Sequence, residues 1–493
     1  MFFVYEFIQK FIYLILKIFT LFVKNKKFLR FVQLRDPLFF KDQIINIKKE
    51  NINAIKNNNI FWIHVASAGE MEQAIPVARK LTETFNAKFF VTYYSPSAEP
   101  FLKNFPNILL AVGLPIDIRN IFNFAIRELN IKRIFFVRYD IWPALFKTCI
   151  ENKIEINLLS ASEKKTKAGF LGFLSTIWNK KYYKNMNNIF AVSKDDYSYF
   201  TKIIEPKNVY LAGDAKWARA YERAVSHSSK KKEQDFSAFF SYCLEQKSFL
   251  FKKCIVFGSP HTEEHEIALK IAKFSDKIFS IYVPHDTNES ACLNIKKQYE
   301  IYGIKAILYS ELVIALKDNI NNTNSSSIIF DENLDDEYIS KNKINNIYNL
   351  KMAASFSSEQ LALCEVIIFD KIGYLAEIYE LADVAIVGGG FDGQIHNVLE
   401  PAAHGVPVLF GNLYQRAREA HELVSSEAAI SFQNTNELFQ FLVQWVSLNE
   451  KGKNLSHPAI RLGQVRTKTI QLFKSIPDTS EIILKALQKG KHI

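Results

Sequence analysis

Short runs rich in β-branched and aromatic residues alternate with helix-like segments along this chain, and this alternation most constrains its fold. In the first half, runs such as FWIHVAS at 61–67 and RIFFVRY at 133–139 flank helical patterns such as MEQAIPVARKLTETF. A second series, from KKCIVFGS at 252 to VPVLFG at 411, repeats the arrangement. Strands that alternate with helices form parallel sheets through βαβ units. The sequence therefore predicts an α/β chain with two doubly wound, Rossmann-like domains.

Changes in composition suggest where these domains begin and end. The segments we predict are a membrane-associated helix with a basic flank at 1–35, an N-terminal domain at 36–216, a linker at 217–250, a C-terminal domain at 251–475 and a final helix at 476–493. The Asn- and Ser-rich stretch near 317–347 is predicted to be a polar surface insertion. Two such domains in series imply a cleft between them, with ligands beyond the carboxyl ends of the strands.

The first 23 residues, MFFVYEFIQKFIYLILKIFTLFV, are apolar enough to enter a bilayer. They are nearly long enough to cross one, which takes about 20 apolar residues. Glu6, Lys10 and Lys17 interrupt the run on one helical face, a pattern that also suits a helix lying in the membrane interface. No cleavage motif follows, whereas basic residues do, which favours a retained helix with the body of the protein in the cytoplasm. A helix packed on the protein itself is the alternative.

Charge and cysteine content limit the classes of partner and cofactor. Lys and Arg number 62 against 51 Asp and Glu, a formal net charge of +11, which favours anionic partners such as phospholipids, nucleotides or nucleic acid. The five cysteines are widely spaced without a C-x-x-C pair, so we expect them to be reduced, in a cytosolic compartment. His261, Glu264 and His265 do not make a convincing ligand set, and no metal site is predicted.

Polar motifs follow the predicted strands of the first domain. In HVASAGE, we expect Gly69 to permit a tight turn and Glu70 to lie at or beside a helix start. A carboxylate there either accepts a proton from a substrate hydroxyl or caps the helix. RYDIWP places Arg138 and Asp140 after another strand, and LAGDAKWAR places Lys216 where it could neutralise a phosphate or sugar carboxylate.

The stretch GGGFDGQIHNVLEPAAHGVPVLFG at 388–411 is the strongest ligand-binding pattern of the second domain. We expect its three leading glycines to let the backbone approach a ligand, and the N–H groups at the next helix start to favour phosphate. Asn397 precedes that helix, and Glu400 within it can accept hydrogen bonds from both hydroxyls of a ribose. A tight turn without a ligand is the alternative.

The chain resembles the bacterial Kdo transferases (3-deoxy-D-manno-octulosonic acid transferases) over roughly residues 1 to 440. Eight segments carry the resemblance in order and approximate spacing: HVASAGE, IWP, SASEKK, GDAK, GSPHTEEHE, VPH, IGYLAEIYELADVAIVGGG and HNVLEPAAHGVPVLFGN. The resemblance implies a GT-B glycosyltransferase, with two Rossmann-like domains facing a cleft, on the cytoplasmic face of the inner membrane. It also implies inverting transfer of Kdo from CMP-Kdo to a lipid A precursor, without a metal or other cofactor.

The same resemblance implies roles for individual residues. Glu70 matches the family's catalytic base, and Lys216 matches a lysine that stabilises the transition state. Arg138 stands where many members have an acidic residue, although nearby Asp140 keeps one carboxylate, and His285 stands where many have an arginine. The residues that match the CMP-holding segments are Pro284, His285, Ile372, Gly373, Tyr374, Asn397, Val398, Leu399 and Glu400.

Two other functions remain compatible with the residues. A different GT-B enzyme, using a UDP- or GDP-sugar on another membrane lipid, would keep the same fold. A membrane-attached nucleotide or nucleic-acid binder would use the net charge of +11, but the basic residues show no RNA-binding module. We therefore predict CMP-Kdo, a lipid A precursor and inner-membrane lipid as partners, and no nucleic acid. The oligomeric state and the number of Kdo residues added are left open.

Overall fold

The computed structural model describes residues 2–57, 59–138, 140–163, 179–225, 233–248, 250, 252–322, 364–447 and 458–489. The chain forms two compact units, one of Met1–Glu222 with Ile476–Ile493 and the other of Arg223–Ser475. Among the described residues, each unit contains one seven-stranded sheet in which every recorded strand pair is parallel. The predicted pair of parallel-sheet α/β domains is confirmed.

The first sheet has the strand order β3-β2-β1-β4-β5-β6-β7. Its strands are β1 (Asn59–Val65), β2 (Ala87–Tyr93), β3 (Ile108–Gly113), β4 (Arg133–Val137), β5 (Glu155–Ala161), β6 (Asn188–Ala191) and β7 (Val209–Leu211). In β1, Trp62 lies opposite Phe90 of β2 and Ile134 of β4. Because helices cover both faces of a parallel sheet, its strands are buried throughout, which explains why they are apolar runs without alternation.

Among the described residues, the helices of the first unit either precede β1 or follow one of the unit's strands. They are α1 (Phe2–Phe19), α2 (Lys26–Gln33), α3 (Pro37–Glu50), α4 (Ile52–Asn57), α5 (Ala68–Phe85), α6 (Arg119–Glu128), α7 (Pro143–Glu151), α8 (Lys194–Phe200) and α9 (Ala215–Val225). Helix α5 buries its apolar stripe, including Met71 and Ala78, against the sheet. It ends where Asn86 adopts a left-handed φ of 48°, a common helix terminator.

The second sheet has the strand order β10-β11-β9-β8-β12-β13-β14. Its strands are β8 (Lys253–Gly258), β9 (Ile278–Val283), β10 (Ala306–Leu308), β11 (Val366–Ile368), β12 (Val384–Val387), β13 (Val408–Gly411) and β14 (Ala429–Phe432). Its helices are α10 (Gln234–Ser248), α11 (Thr262–Phe274), α12 (Glu289–Ile301), α13 (Tyr309–Asn322), α14 (Leu375–Ile378), α15 (Leu399–Ala403), α16 (Arg418–Ser425), α17 (Thr435–Val446) and α18 (Pro458–Ser475).

Each sheet has a switch point, where the chain crosses to the other side of its first strand. In the first sheet this point lies between β1 and β4, and in the second it lies between β8 and β12. Ligands of doubly wound sheets bind in the crevice that opens there, beyond the carboxyl ends of the strands. The loops that follow these four strands are therefore the places to look for chemistry.

The interpretation of residues 217–250 as a linker is wrong. The segment includes most of α9 and all of α10, and the boundary between the units falls within α9. The aromatic side chains of Phe236, Phe239 and Tyr242 on α10 are buried in the core of the second unit. Because α10 also carries many polar residues, its composition concealed this apolar stripe.

Two other predicted segments differ from expectation in smaller ways. Residues 317–322 of the predicted insertion form the end of α13, and the remainder, 323–347, lies outside the described residues. The final helix, α19 (Thr479–Lys489), belongs to the first unit, where Thr479 Oγ1 donates a hydrogen bond of 2.8 Å to the carbonyl of Ala212.

Helix α1 packs on the first unit along one face and exposes an apolar face. On the packed side, Tyr5 Oη donates to Asp117 Oδ2 at 2.7 Å, and Glu6 pairs with Arg119 at 2.9 Å. On the other side, Phe3 and Phe7 are 80% and 63% exposed. Within the described part of the chain, we find no helix with the length and apolar character needed to cross a membrane.

Candidate active site

Glu70 lies in the first turn of α5, immediately beyond the carboxyl end of β1. Its side chain turns back, and Oε2 accepts a hydrogen bond of 2.5 Å from the backbone N–H of Ala66. The residue is only 8% exposed. Ser67 occupies the N-cap position without a side-chain capping bond, and the Glu70 carboxylate bonds the N–H of Ala66, one residue before the cap. Because the Glu70 carboxylate has two oxygens, the same side chain can accept this backbone hydrogen bond and also accept a proton from a substrate.

Burial raises the pKa of the Glu70 carboxyl to about 7, and the nearby Asp140 carboxylate acts in the same direction. The Ala66 N–H and the Arg138 guanidinium oppose this rise. A carboxyl group with a pKa near neutrality exchanges protons readily at physiological pH, which is the property a general base needs.

Arg138 and Asp140 follow β4, the strand next to β1 at the switch point. Arg138 has a left-handed φ of 63°, which is costly for a residue with a side chain and is most common at functional sites. Asp140 Oδ2 accepts hydrogen bonds of 3.0 Å from His64 Nε2 and from Trp142 Nε1. The structure thus places both predicted residues within electrostatic reach of Glu70.

Asp214 connects the remaining candidate of the first unit to this group. Its Oδ1 accepts from the backbone N–H of Lys216 at 3.0 Å and from Gln73 Nε2 at 2.7 Å. Its Oδ2 lies 3.8 Å from Arg138 Nη2. Sequence reasoning missed Asp214, and its position directly after a strand in LAGDAKWAR was the available signal. Glu70, Arg138 and Asp140 consequently form one group, to which Lys216 is joined through its backbone N–H.

Gly69 does not have the role predicted for it. It lies inside the first turn of α5 and is not among the glycines with positive φ, so no tight turn requires it. A Cβ added there would meet nothing within 4 Å. The space on the Cβ side of Gly69 is therefore open.

The glycines of the second switch point are required by packing within the protein. A Cβ on Gly388 would lie 2.0 Å from the Ser259 carbonyl oxygen, and one on Gly389 would lie 2.2 Å from the Gln394 carbonyl oxygen. Gly389 also has a φ of 80°, which favours glycine. These glycines thus have a packing reason, the close approach of the loops that follow β8 and β12, and the predicted approach of a ligand stays a prediction.

Three histidines gather where those loops meet. His261 Nδ1 lies 2.6 Å from Asp392 Oδ2, and His261 Nε2 lies 3.0 Å from His396 Nε2. The ring of His285 lies 5.1 Å from that of His396, with 38° between their planes. Burial and the two neighbouring imidazoles lower the pKa of His396 to about 4, so this ring is neutral at pH 7. Of the three, only His285 was predicted.

The other predicted nucleotide-binding residues fall into two sets. Three have polar or exposed positions: Asn397 Oδ1 accepts from the Leu399 N–H at 3.0 Å, Tyr374 Oη bonds to the Glu233 carboxylate, and Ile372 is 84% exposed. Pro284, Val398 and Leu399 have buried side chains, so they can meet a ligand only through their backbone. Gly373 has a φ of 92°.

Glu400 is paired rather than open. Its Oε1 accepts from Arg223 Nη1 at 2.8 Å, and Arg223 Nη2 lies 3.8 Å from Glu377 Oε2 on α14. His404 Nε2 donates to the Ala376 carbonyl at 2.8 Å, which also ties α15 to α14. Together with the contact between His285 and His396, these bonds bring the three predicted segments of the second unit together.

Two features of the described part of the chain concern metal binding and disulfide bonds. There, no group of three or more His, Cys, Asp or Glu side chains is arranged to hold a metal ion. All five cysteines are described, buried and unpaired.

Comparison with known proteins identifies the chain's relatives. Residues 41–219 match the family model described as 3-Deoxy-D-manno-octulosonic-acid transferase (kdotransferase). The enzyme named 3-deoxy-D-manno-octulosonic acid transferase from Aquifex aeolicus (strain VF5) is 25% identical over 414 residues, covering 82% of this chain and 90% of that protein. The enzyme of the same name from Rickettsia bellii (strain RML369-C) is 24% identical over 445 residues, covering 84% and 88%.

Among solved structures, UDP-GlcNAc 2-epimerase from Neisseria meningitidis, bound to UDP-GlcNAc, has a TM-score of 0.52 at 11% identity and covers 87% of this chain and 100% of that one. This likeness shows the fold alone, in agreement with the two parallel-sheet units. The sequence relatives define the chain as a glycosyltransferase. The match of residues 41–219 to the Kdo transferase family model and the similarity of most of the chain to enzymes of that name confirm the resemblance found in its motifs.

Proposed function

We propose that this chain transfers Kdo from CMP-Kdo to a lipid A precursor, with Glu70 as the general base. The observation that carries the proposal is the buried Glu70 carboxyl, with a pKa of about 7, at the switch point of the first unit and beside Asp140 and Arg138. The open space at Gly69 leaves room for an acceptor hydroxyl there. A purely capping glutamate would gain nothing from these surroundings.

In the proposed reaction, a hydroxyl of the acceptor sugar gives its proton to Glu70. The acceptor oxygen bonds to the anomeric carbon of Kdo, and the bond from that carbon to the CMP phosphate oxygen breaks. Attack from the face opposite the leaving group inverts the configuration of the donor. Charge builds on the departing phosphate, and Lys216 would stabilise it, an effect worth about 3 kcal/mol for a well-placed donor.

The second unit would bind the nucleotide. The His285 imidazole, which lies beside His396, offers an N–H donor to the phosphate beside the N-terminus of α11. Helix α15 has only five residues, so its dipole contributes less than the sequence suggested. Asn397 and Glu400 would then receive the ribose hydroxyls, with Arg223 holding the Glu400 carboxylate in place.

We further propose a site of action at the cytoplasmic face of the inner membrane, without a metal cofactor. The exposed apolar face of α1 and the net charge of +11 support attachment to anionic lipid. The lipid acceptor would then be met at the bilayer surface.

A prediction follows for α1. Replacing Phe3, Phe7 and Phe11 by Ser should move the protein from anionic phosphatidylglycerol vesicles into the supernatant in a vesicle co-sedimentation assay. The melting temperature should hardly change, because these side chains are 80%, 63% and 55% exposed. Deleting residues 1–23 is a less clean test, because it also takes Tyr5 from the buried Asp117. Ile301→Ser, at a position 80% exposed on α12, is the matched control and should bind vesicles normally. Unfolding of the triple variant would mean that α1 belongs to the core.

A second prediction separates CMP from UDP and GDP donors. Glu400→Ala should weaken CMP binding about 10-fold, the usual loss when a charged hydrogen-bond partner is removed. Calorimetric titration with CMP measures this loss of affinity. Titrations of the parent protein with CMP, UDP and GDP measure its nucleotide preference, and we expect it to prefer CMP. Glu422→Ala is the control, because it removes another Arg–Glu pair, 3.1 Å long, on α16. Unchanged CMP affinity in the Glu400 variant would remove this residue from the site, and a preference for UDP or GDP would favour the other donors.

A further inference from the structure

His64, near the carboxyl end of β1, is fully buried, yet both of its ring nitrogens have hydrogen-bond partners. Nδ1 lies 2.9 Å from Thr92 Oγ1 on β2, and Nε2 lies 3.0 Å from Asp140 Oδ2 after β4. The ring therefore crosses the switch point of the first sheet. A buried polar side chain that bridges two strands is usually structural, but here one partner is the carboxylate beside Glu70.

The directions of these hydrogen bonds can be assigned from their fixed donors and acceptors. Trp62 Nε1 can only donate, and it donates to Thr92 Oγ1 at 2.8 Å. The Thr92 hydroxyl is then able either to donate to His64 Nδ1 or to accept from it. In both arrangements the carboxylate oxygen of Asp140 can only accept, so His64 Nε2 carries a hydrogen and donates it.

Asp140 is consequently held from two sides through one oxygen. Oδ2 accepts from His64 Nε2 and from Trp142 Nε1, each at 3.0 Å. Two N–H donors stabilise the ionised carboxylate and restrict its rotation. The negative charge of Asp140 is thereby fixed near Glu70.

We propose that His64 is a positioning residue for the transfer reaction, acting through Asp140 to make Glu70 a stronger base. The inference rests on the proposed role of Glu70. It gives the buried chain of Trp62, Thr92 and His64 a function that packing alone does not require. The burial of the ring keeps water from competing for the Asp140 carboxylate.

Other charged groups interact electrostatically with Glu70, Asp140 or His64. The Arg138 guanidinium opposes the effect of Asp140 on Glu70. The Arg35 guanidinium, which lies over the Tyr94 ring at 4.0 Å, interacts with Asp140, and the Asp117 carboxylate interacts with His64. Substituting His64 leaves the Arg138 and Arg35 guanidiniums in place but removes the interaction with Asp117. A change in the pH profile is therefore assigned to the link between His64 and Asp140 by comparison with Asp140→Asn and the double variant.

The test is the pH dependence of kcat for the full-length chain, with CMP-Kdo and a tetraacyl lipid A precursor. In His64→Phe, Asp140 loses the His64 Nε2 donor, so the rising limb of the profile should move to lower pH. The plateau rate should fall about 10-fold because a less basic carboxylate accepts the proton less well. The KM for CMP-Kdo should stay the same. His64→Gln supplies an amide N–H and should largely restore the parent profile.

Asp140→Asn completes the test, because it removes the charge while keeping an acceptor for both donors. It should displace the limb in the same direction, and adding His64→Phe to it should cause no further displacement. The proposal would be overturned by a His64→Phe variant that melts at a lower temperature while the rising limb of its pH profile keeps the parent midpoint. Additive shifts of that midpoint in the double variant would also overturn it. If His64→Phe does not fold, Trp142→Phe removes the Trp142 Nε1 donor to Asp140, and an unchanged midpoint in that variant would have the same meaning. Normal turnover by Glu70→Gln would instead refute the proposed function itself.

Discussion

Glu70→Gln is expected to lower the rate of Kdo transfer about 100-fold or more, within the usual range for loss of a general base. Glutamine keeps the shape of the side chain, and its carbonyl oxygen can still accept from the Ala66 N–H. It cannot accept the proton of the acceptor hydroxyl. CMP affinity should barely change, because the proposed CMP contacts lie in the second unit. Initial rates and CMP titrations on the same purified protein measure both quantities.

The stability of this variant separates catalysis from helix capping. The pKa of Glu70 is raised to about 7 from an ordinary 4.5, so the folded state binds its proton more tightly than the unfolded state. Folding stability attributable to this group is therefore full below about pH 4.5 and falls as the pH rises to about 7. Glutamine removes that loss, so the variant should be more stable than the parent at pH 8, by on the order of 3 kcal/mol, and similar to it near pH 4.5.

A glutamate kept only for capping predicts the opposite, a loss of about 1 kcal/mol at pH 8 with near-normal transfer. Glu83→Gln is the matched control, because Glu83 lies exposed near the other end of α5. It should change neither the transfer rate nor the pH dependence of the melting temperature.

Lys216→Met is expected to lower kcat about 100-fold, the size of effect seen when a donor to a developing charge is removed. Methionine keeps much of the apolar stem, and the backbone bond from residue 216 to Asp214 is unaffected, so the fold should persist. Rates at saturating donor and acceptor measure the effect. Lys216→Arg keeps the charge and should retain more activity than Lys216→Met.

The control for this substitution is Lys103→Met, at an exposed position away from the candidate site. Transfer by the Lys216 variant within a few-fold of the parent, like that control, would make Lys216 a surface charge and remove it from the mechanism.

Most of the strand framework could be predicted because buried parallel strands are continuous apolar runs. The runs around β1, β4, β8 and β12 all became strands, and their order placed the motifs at switch points. The short strand β14 was missed, because four residues flanked by ordinary polar segments give little signal. Helix α10 was missed for a different reason: its apolar stripe is evident only as helical spacing within a polar segment.

The polar contacts of the site could not be predicted, because they join residues distant in sequence. Asp214 and Arg138 lie on separate loops, as do His261 and His396, and only the sheet order brings them together. The reason for Gly388 was also hidden, since its neighbour across the gap is the backbone of Ser259. Residue types indicated that chemistry follows the strands, but not which side chains meet.

The most direct test of the proposed activity is a transfer assay with the full-length protein, CMP-Kdo generated in situ and a tetraacyl lipid A precursor, followed by mass spectrometry of the lipid. We expect the precursor to gain the mass of one or more Kdo residues, with CMP released in equal amount, and we expect about 100-fold less product, or lower still, with Glu70→Gln over the same initial-rate period. A precursor that stays unmodified with the parent protein would contradict the proposed activity. An equal gain of mass with Glu70→Gln would contradict the proposed role of Glu70 as the general base.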